Sequence, residues 1–458
     1  MQDLKNYFIT IDREYKEGDV AVLRQKFSGE NVVSAVLYST ALGVYEAELN
    51  GKKAGEQMFA PGYTYYPRRV LYQEHDVTEF LNTGGEGSKE NELVFYLGQG
   101  WYCGRFLCEN QTQIYGEKPA VSWILQLKFA DGSEKEIHSG IDVDELESPY
   151  EYAGEYDGEI YFADGRNNVI GNPVAYTGTT DFALEKTLTE VRIQEEMPVK
   201  NVTVSEGKTI LDFGQNFAGI VEIHPEFFEG ETLTIRHGEI LNPDDSLYTA
   251  NLRKAKATVI YHAGAEKKTY RPRFTYMGFR YVELSGAEYK PGMVKAYALY
   301  TDMRRTGFFE CGHEKVQKLF ENQVWGQKSN YVEVPTDCPQ RDERMGYTGD
   351  GQVFALTGAY NFDSRVCHAQ FNGKDGFTLY NSLLTPNFVQ YPFGNFMPFN
   401  TITESVEETG AIGRGYYERM QQNAQEKADS CPEGSLKEQY TKLAKTLGQF
   451  IKTMDGKH

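Results

Sequence analysis

The sequence predicts a multidomain chain of β and α structure, with two antiparallel β-sandwich domains followed by a helical region. Two observations carry this prediction. Before residue 300, short runs of β-branched and aromatic residues alternate with turn pairs such as Asn50-Gly51 and Asp131-Gly132. After residue 305, apolar residues recur every three or four positions, as on one face of a helix.

The first predicted sandwich covers residues 1–195. Its clearest strand candidates are short apolar runs at 32–38, 44–49, 93–97 and 121–129. Each run ends close to a turn-forming pair or a glycine-rich stretch, so the connections are short. Regular short strands of this kind are typical of a sandwich or a jelly roll.

The second predicted sandwich is smaller and covers residues 196–303. It contains the strand-like stretches "DFGQNFAGIVEI" (212–223), "TLTIRHGEI" (232–240) and "YRPRFTYMGFRYVEL" (270–284), with a turn at "NPDD" (242–245). Aromatic and β-branched residues dominate these stretches, which favours strands over helices.

The helical region covers residues 304–458. One predicted helical face carries Val316, Leu319, Phe320 and Val324, and Pro335 ends that helix. A second apolar stripe begins at 353–356. A third helix is predicted over 436–454, where Ser435 and Glu438 form a capping box before an amphipathic repeat.

Composition narrows the classes of function. The formal net charge of −19 makes nucleic acid and anionic membranes unfavourable partners, because both repel an acidic surface. The first twenty residues lack an apolar core of signal-peptide length, and no run of eighteen apolar residues occurs. The sequence therefore predicts a cytoplasmic protein without a membrane span.

Motifs for a bound metal or cofactor are missing from the sequence. Cys103 and Cys108 form a C-x4-C pair without a second pair, so the six cysteines are expected to be reduced thiols. "TGGEGSK" (83–89) lacks the spacing of a phosphate-binding loop, and "GQGWYCG" (98–104) is not a dinucleotide fingerprint. We therefore expect no metal and no cofactor.

Residues 335–350, "PTDCPQRDERMGYTGD", hold the densest group of acids: Asp337, Asp342, Glu343 and Asp350, with Arg341 and Arg344 among them. One explanation is a solvated turn braced by salt bridges, and another is a calcium site, although the spacing of an EF-hand loop is missing. A third is glycoside hydrolysis, in which one carboxylic acid protonates the leaving oxygen and a second carboxylate acts across the sugar ring. Tyr347 offers an apolar face to such a ring.

Several blocks of the chain resemble the bacterial α-L-rhamnosidases of glycoside hydrolase family 78. The stretch "VPTDCPQRDERMGYTGDGQVFA" resembles the signature of that family, and "GEILNPDDSLYTANLRKAKATVIY" and "PRFTYMGFRYVEL" resemble its second sandwich. The likeness runs in order from about residue 20 to 365. It implies two sandwiches and a catalytic α/α toroid of the six-hairpin type.

The resemblance also implies roles for individual residues. Glu343 matches the general acid of an inverting hydrolysis of terminal α-L-rhamnosides, and Asp337 and Asp350 match carboxylates that hold the hydroxyls of rhamnose. Tyr347 stands where the family usually has Trp, and Met345 where it usually has Leu, so an aromatic face and an apolar filler are kept. Three further residues complete the expected site: Asp342 as a neighbour that tunes the pKa of the acid, and Arg341 and Arg344 as groups that orient the acids or the sugar. A purely structural salt bridge explains each arginine equally well.

The resemblance ends near residue 365, and the toroid is expected to be incomplete. Twelve helices of ordinary length need about 350 residues. The segment 305–458, which is the part of this sequence after the second sandwich, is less than half that long. The family's downstream blocks with its general base have no counterpart, and no Trp follows Trp325. The general base is therefore unknown, and Glu404, Glu407 and Glu408 are acids without the expected context.

Three hypotheses follow from the sequence. The first is a rhamnosidase that acts on L-rhamnose-containing glycosides with impaired catalysis. The second is a non-catalytic carbohydrate-binding or structural protein derived from a rhamnosidase. The third is an interaction protein that completes its short helical domain by association, for instance as a homo-oligomer, because apolar helix faces at 316–324 and 353–356 are expected to be exposed.

Overall fold

In the computed structural model of the chain, the described residues are 2–83, 89–105, 112–205, 208–265, 268–346, 348–365 and 367, with single positions between 421 and 452. The chain forms two compact units. One consists of Met1–Met345 and Thr357–Phe371, and the other of Gly346–Leu356 and Asn372–His458. Within the described part, no helix has the length and apolar character needed to cross a bilayer.

Strands dominate the chain up to residue 190. They are β1 (Ile9–Thr10), β2 (Ala21–Ser28), β3 (Val32–Leu42), β4 (Val44–Leu49), β5 (Lys52–Lys53), β6 (Arg69–Asp76), β7 (Glu90–Gly98), β8 (Ala120–Phe129), β9 (Glu134–His138), β10 (Asp144–Leu146), β11 (Tyr150–Gly154), β12 (Gly158–Phe162), β13 (Val169–Gly171), β14 (Val174–Ala175) and β15 (Ala183–Lys186). The one α-helix described in this stretch is the single turn α1 (Gly100–Cys103).

The second half of the described chain adds further strands and two longer helices. They are β16 (Val191–Met197), β17 (Asn201–Ser205), β18 (Lys208–Ile223), β19 (Thr232–Gly238), β20 (Thr258–His262), β21 (Met277–Ser285), β22 (Val294–Thr301), α2 (Glu314–Asn330), β23 (Tyr331–Val332), β24 (Val334–Pro335) and α3 (Thr348–Asn361). Short 3-10 turns lie at Gln2–Tyr7, Thr78–Phe80, Pro225–Phe227 and Ala250–Leu252.

The first β domain contains two sheets around one core. As far as the chain is described, one sheet has seven strands in the order β14-β1-β8-β3-β6-β15, with β9 beside β8, and the other has six in the order β13-β10-β2-β7-β4-β5. The rings of Trp123 on β8 and Phe95 on β7 stack with centroids 4.4 Å apart, and both side chains are fully buried. These two rings join the sheets as a sandwich.

The predicted hairpin at Asn50-Gly51 is confirmed. Asn50 has φ 53° and Gly51 has φ 74°, and the flanking strands β4 and β5 pair antiparallel. A two-residue turn with both central residues in the left-handed region matches the twist of the strands, which explains the Asn-Gly pair. The second predicted turn, at Asp131-Gly132, joins the antiparallel pair β8 and β9.

The second β domain is built on a nine-stranded sheet in the described chain, in the order β11-β12-β20-β19-β21-β18-β22-β16, with β17 beside β18. This sheet takes strands from both sides of the predicted boundary between residues 195 and 196. The pairing is antiparallel as predicted, except that β12 runs parallel to β20, as β15 does to β6 in the first domain.

A buried ion cluster ties the two β domains together. Arg273 of the second domain donates from Nε to Glu46 and from Nη2 to Glu48 on β4, at 2.6 Å each. Lys53 of the first domain lies 2.8 Å from the second oxygen of Glu46. Because the partners come from different domains, the cluster fixes their relative position.

Helix α2 lies against the nine-stranded sheet. The His313 side chain caps its first turn, and Ser329 near its end accepts a hydrogen bond from the backbone N–H of Ala218 on β18 (3.2 Å). The predicted apolar face is divided, because Val324 is buried whereas Leu319 is 68% exposed. Exposed apolar residues in this region were predicted, and the structure confirms them.

Helix α3 also carries exposed apolar side chains, Val353 (84%) and Leu356 (69%). In the third predicted helix, over 436–454, the described positions 437, 441, 444, 445, 448 and 452 are all helical. Most of the segment 366–458 lies outside the described residues.

Candidate active site

The acidic segment starts from a tight two-stranded ribbon at the end of α2. Strands β23 and β24 pair antiparallel on either side of Glu333, which has φ +67°. The backbone N–H of Glu333 donates to the Thr301 hydroxyl (3.0 Å), and that of Thr336 donates to the carbonyl of Asn330 (2.7 Å). These bonds place Asp337 at a fixed point beside the nine-stranded sheet.

Arg341 joins the first two carboxylates of the segment. Its Nη2 donates to Asp337 Oδ2 (3.2 Å), and its Nε donates to Glu343 Oε2 (2.8 Å). Burial and then the nearby Glu343 carboxylate raise the pKa of Asp337 to about 6, while the Cys338 thiol and Arg341 act in the opposite direction. Asp337 therefore changes its charge close to neutral pH.

Glu343 receives a second guanidinium from another part of the chain. Arg253, which follows the 3-10 turn Ala250–Leu252 of the second β domain, places its Nη1 3.0 Å from Glu343 Oε2. The hydroxyl of Tyr156 donates to the backbone carbonyl of Glu343 (2.9 Å). The second β domain thus contacts both the side chain and the backbone of this residue.

Arg344 is a structural anchor. Its side chain is fully buried, and its guanidinium donates to the carbonyls of Arg341, Glu155, Tyr276 and Gln340 and to the sulfur of Met277. These contacts use its N–H groups within the protein, which leaves none directed at a sugar. The geometry therefore favours the structural explanation of Arg344 over the predicted contact with substrate.

Met345 and Asp342 of the motif are also buried. Met345 is 1% exposed and its backbone N–H donates to Asp337 Oδ1 (3.4 Å), which suits an apolar filler. Asp342 is fully buried, and within the described chain neither of its carboxylate oxygens has a hydrogen-bond partner. Its predicted effect on the pKa of Glu343 stays a prediction.

Two further carboxylates are buried beneath the loop. Burial raises the pKa of Glu155 to about 7, although Arg344 lies 4.0 Å from one of its oxygens. Burial, and then the charge of Glu155, raise the pKa of Glu333 well above its usual range. Both groups border a small cavity that is also lined by Tyr63, Trp101, Tyr276 and Arg344.

A metal ion has to compete with Arg341 in this cluster. Ligand atoms of Asp337, Cys338 and Glu343 lie within 4.8 Å of one another. The guanidinium of Arg341 already bridges the two carboxylates, and burial raises the pKa of the Cys338 thiol to about 12, so the thiol is protonated at neutral pH. This donor set fits an ion-pair network better than a cation site.

Some predicted site residues are not placed relative to this cluster. Tyr347, Glu404, Glu407 and Glu408 lie outside the described residues. Asp350 is exposed in the first turn of α3 and belongs to the other compact unit. The predicted concavity of Asp337, Glu343, Tyr347 and Asp350 stays a prediction.

Comparison with known proteins explains the order of the domains. The chain matches, in succession, the α-L-rhamnosidase N-terminal domain over residues 30–203, the bacterial α-L-rhamnosidase concanavalin-like domain over 202–300 and the bacterial α-L-rhamnosidase six-hairpin glycosidase domain over 304–372. The chain belongs to the bacterial α-L-rhamnosidase family. The acid cluster lies in the part that matches the six-hairpin domain.

Individual rhamnosidases agree with this assignment. The α-L-rhamnosidase of Streptomyces avermitilis is 41% identical over 352 residues, which are 73% of this chain and 33% of that protein. The crystal structure of the Streptomyces avermitilis enzyme complexed with L-rhamnose aligns with a TM-score of 0.73 and 29% identity, over 95% of this chain and 49% of that chain. The native enzyme from Aspergillus terreus aligns with a TM-score of 0.75 and 26% identity, over 98% and 61%.

The chain matches only part of the length of these relatives. This chain spans 33% and 38% of the length of the first two curated rhamnosidases that it matches. Its described strands and helices represent mainly the β domains of such an enzyme together with the first part of the six-hairpin domain.

Sequence reasoning missed Arg253, Tyr156 and Glu155 as neighbours of the acid cluster. Arg253 lies in the "TANLRKA" stretch (249–255) of a block that carries the family resemblance, so a functional signal was present there. Tyr156 and Glu155 lie in the turn between β11 and β12 and carry no motif. Only the folded chain brings that turn to Glu343 and Arg344.

Proposed function

We propose that this chain is an α-L-rhamnosidase-type glycoside hydrolase that performs the acid side of an inverting hydrolysis of terminal α-L-rhamnosides. Glu343 is the general acid, and Asp337 and Arg341 bind the rhamnose unit. The observation that carries the proposal is the Asp337–Arg341–Glu343 cluster at 2.8 and 3.2 Å, held on a rhamnosidase motif. A related rhamnosidase structure contains L-rhamnose, which supports this sugar as the ligand.

The two carboxylates of an inverting hydrolysis have different roles. A general acid gives its proton to the glycosidic oxygen as that oxygen leaves, and a general base on the other face of the ring activates water. Asp337 shares the guanidinium of Arg341 with Glu343, and its raised pKa lets it act as a hydrogen-bond donor or acceptor near neutral pH. The general base is unassigned. We therefore expect slow turnover from this chain.

The test separates binding from turnover. L-rhamnose binding is measured by calorimetry, and hydrolysis is measured on p-nitrophenyl and methyl α-L-rhamnosides. E343Q should keep L-rhamnose binding and lose about 100-fold or more in hydrolysis, because a general acid contributes about that much. The loss should be greater on the methyl glycoside, whose leaving oxygen needs the proton more.

D337N tests the binding role and should weaken L-rhamnose binding about tenfold, because it removes a charged hydrogen-bond acceptor. D363N is the matched control, since Asp363 pairs with Arg365 at the surface. Absence of L-rhamnose binding in the unaltered chain contradicts the proposal. L-rhamnose binding with no hydrolysis of either glycoside favours the non-catalytic carbohydrate-binding alternative.

A further inference from the structure

Arg253 reaches the acid cluster from the second β domain, 90 residues away in sequence from Glu343. Its guanidinium and that of Arg341 contact the same oxygen, Glu343 Oε2, at 3.0 and 2.8 Å. The Arg253 side chain is 43% exposed, whereas that of Arg341 is 32% exposed. Within the described chain, Arg253 forms an ion pair with Glu343 alone, whereas Arg341 also holds Asp337.

The backbone of Arg253 has an unusual conformation. Its φ is 58° and its ψ is −110°, a region that residues with a Cβ atom rarely adopt. The neighbouring residues Leu252 and Ala255 are 2% and 7% exposed and hold the segment in place. A strained backbone that presents a half-exposed charge to another domain indicates a functional rather than a packing role.

Other polar groups of the second β domain lie behind the two arginines. Glu239 accepts hydrogen bonds from Asn216 (2.8 Å) and Asn251 (2.9 Å), and the charge of Arg341 acts on it. Asn251 is two residues from Arg253 in the same turn. The turn therefore belongs to a polar surface of the second β domain that faces Arg341 and Glu343.

We infer that Arg253 is a positioning residue for Glu343: it orients the carboxyl group and sets the pH at which that group gains its proton. The role as an acid rests on the proposed function, but the effect of Arg253 on the carboxyl group does not. Two guanidinium groups on one carboxylate oxygen favour the ionised form. A general acid must instead be protonated when the leaving oxygen departs. Arg341 is shared with Asp337, whereas Arg253 pairs with Glu343 alone in the described chain, so the charge of Arg253 is the one that acts on Glu343 by itself.

Several charged and titratable groups lie around Glu343 in the described chain. Its own loop supplies Asp337, the Cys338 thiol and Arg341, and the second β domain supplies Arg253. Tyr156 contacts the backbone of Glu343, and Arg344 is directed away into the core. Removal of Arg253 thus leaves Arg341 as the cation on this carboxylate among these groups.

The test follows the Glu343 carboxyl group by carbon-13 NMR in the full chain labelled at glutamate side chains, with E343Q to assign the signal. R253A should raise the pKa of Glu343 by about one pH unit, because an opposite charge in contact is lost. R253K should restore part of the difference. R253G removes the same charge and relieves the backbone, so it should show the same rise while the chain stays folded.

R236A is the matched control, because Arg236 is an arginine of the second β domain with a similar exposure to Arg253, and it pairs with Glu283. It should leave the pKa of Glu343 unchanged. The same Glu343 pKa in R253A, R253G and the unaltered chain overturns the inference. L-rhamnose binding is measured in parallel: a raised Glu343 pKa in a chain that does not bind L-rhamnose supports the inference and counts only against the proposed function.

Discussion

Two arginine clusters of this chain have similar parts, but each shifts the pKa of one of its carboxylates in the opposite direction: that of Glu46 is lowered and that of Asp337 is raised. At the junction of the β domains, Arg273 contacts Glu46 and Glu48, and Lys53 adds a second cation on Glu46. Burial alone raises the pKa of Glu46, but Arg273 and Lys53 outweigh burial and hold it at about 2. Glu46 is therefore ionised at every physiological pH.

At the candidate active site the balance is reversed. Arg341 serves both Asp337 and Glu343, and the pKa of Asp337 rises to about 6. The number of cations for each buried carboxylate explains the difference, since Glu46 has two and Asp337 shares one. When too few cations offset its burial, the pKa of a buried carboxylate rises toward neutral pH, and the group can then gain and lose a proton there.

The largest expected effect lies at the domain junction. R273M removes the cation between Glu46 and Glu48 and leaves two largely buried carboxylates, so we expect a loss of about 3–5 kcal/mol in the free energy of unfolding. Urea denaturation at pH 7 measures it. R280A is the control: Arg280 pairs with Asp212 at the surface, and its loss should cost about 1 kcal/mol or less. Equal losses in the two variants would refute the expectation that the cluster at the domain junction stabilises the chain more than a surface ion pair does.

A smaller effect is expected at Glu155, a buried carboxylate whose burial is offset even less by a neighbouring cation. Its pKa in the folded chain is about 7, above the usual value of 4.5. The folded chain therefore binds this proton more tightly than the unfolded chain, and stability falls as the pH rises from about 4.5 to about 7. E155Q should match the unaltered chain near pH 4.5 and exceed its free energy of unfolding by up to about 3 kcal/mol at pH 8.

Thermal or urea unfolding at the two pH values measures the effect of E155Q. The exposed Glu151 on β11 offers a control, since E151Q should give the same difference at both pH values. If the difference in the free energy of unfolding between E155Q and the unaltered chain does not change with pH, then the folded and unfolded chains bind the proton of Glu155 equally tightly.

The smallest effect concerns Arg253. R253G removes the strain of a side chain at φ 58°, which costs about 1–3 kcal/mol, and loses an exposed ion pair and some backbone entropy. We expect a net gain of about 1 kcal/mol in stability, read as a higher midpoint of thermal unfolding. A lower midpoint would mean that the contact with Glu343 outweighs the strain. R253A, which keeps the Cβ atom, should show no such gain.

Local patterns predicted the fold well where neighbouring residues decide the structure. Asn50-Gly51 forms its turn because two left-handed residues suit a hairpin, and this is a property of the pair itself. The parallel pairing of β12 with β20 was not predicted, since the strands lie about a hundred residues apart and carry no local mark of their partner. The exposed residues Leu319 and Val353 were predicted from the small number of helices.

The candidate site shows the same division. The motif around Glu343 predicted the acid, a role that stays a prediction, and it could not distinguish Arg341 from Arg344, three residues later. One arginine is partly exposed between carboxylates, and the other is fully buried among backbone carbonyls. That difference depends on Tyr276 and on the turn at Glu155, which meet the loop only after folding.

Tyr156 contacts Glu343, and Arg344 contacts Glu155. These contacts limit where domains of this family can be exchanged to make a chimera. A junction near residue 304 looks natural for a chimera, because the family's domains meet there. A graft at that point would separate Glu343 from the turn whose Tyr156 hydroxyl contacts its backbone. A transplanted six-hairpin domain therefore has to bring its own β11–β12 turn, and exchange of the β domain alone also changes the surroundings of Glu343 and Arg344.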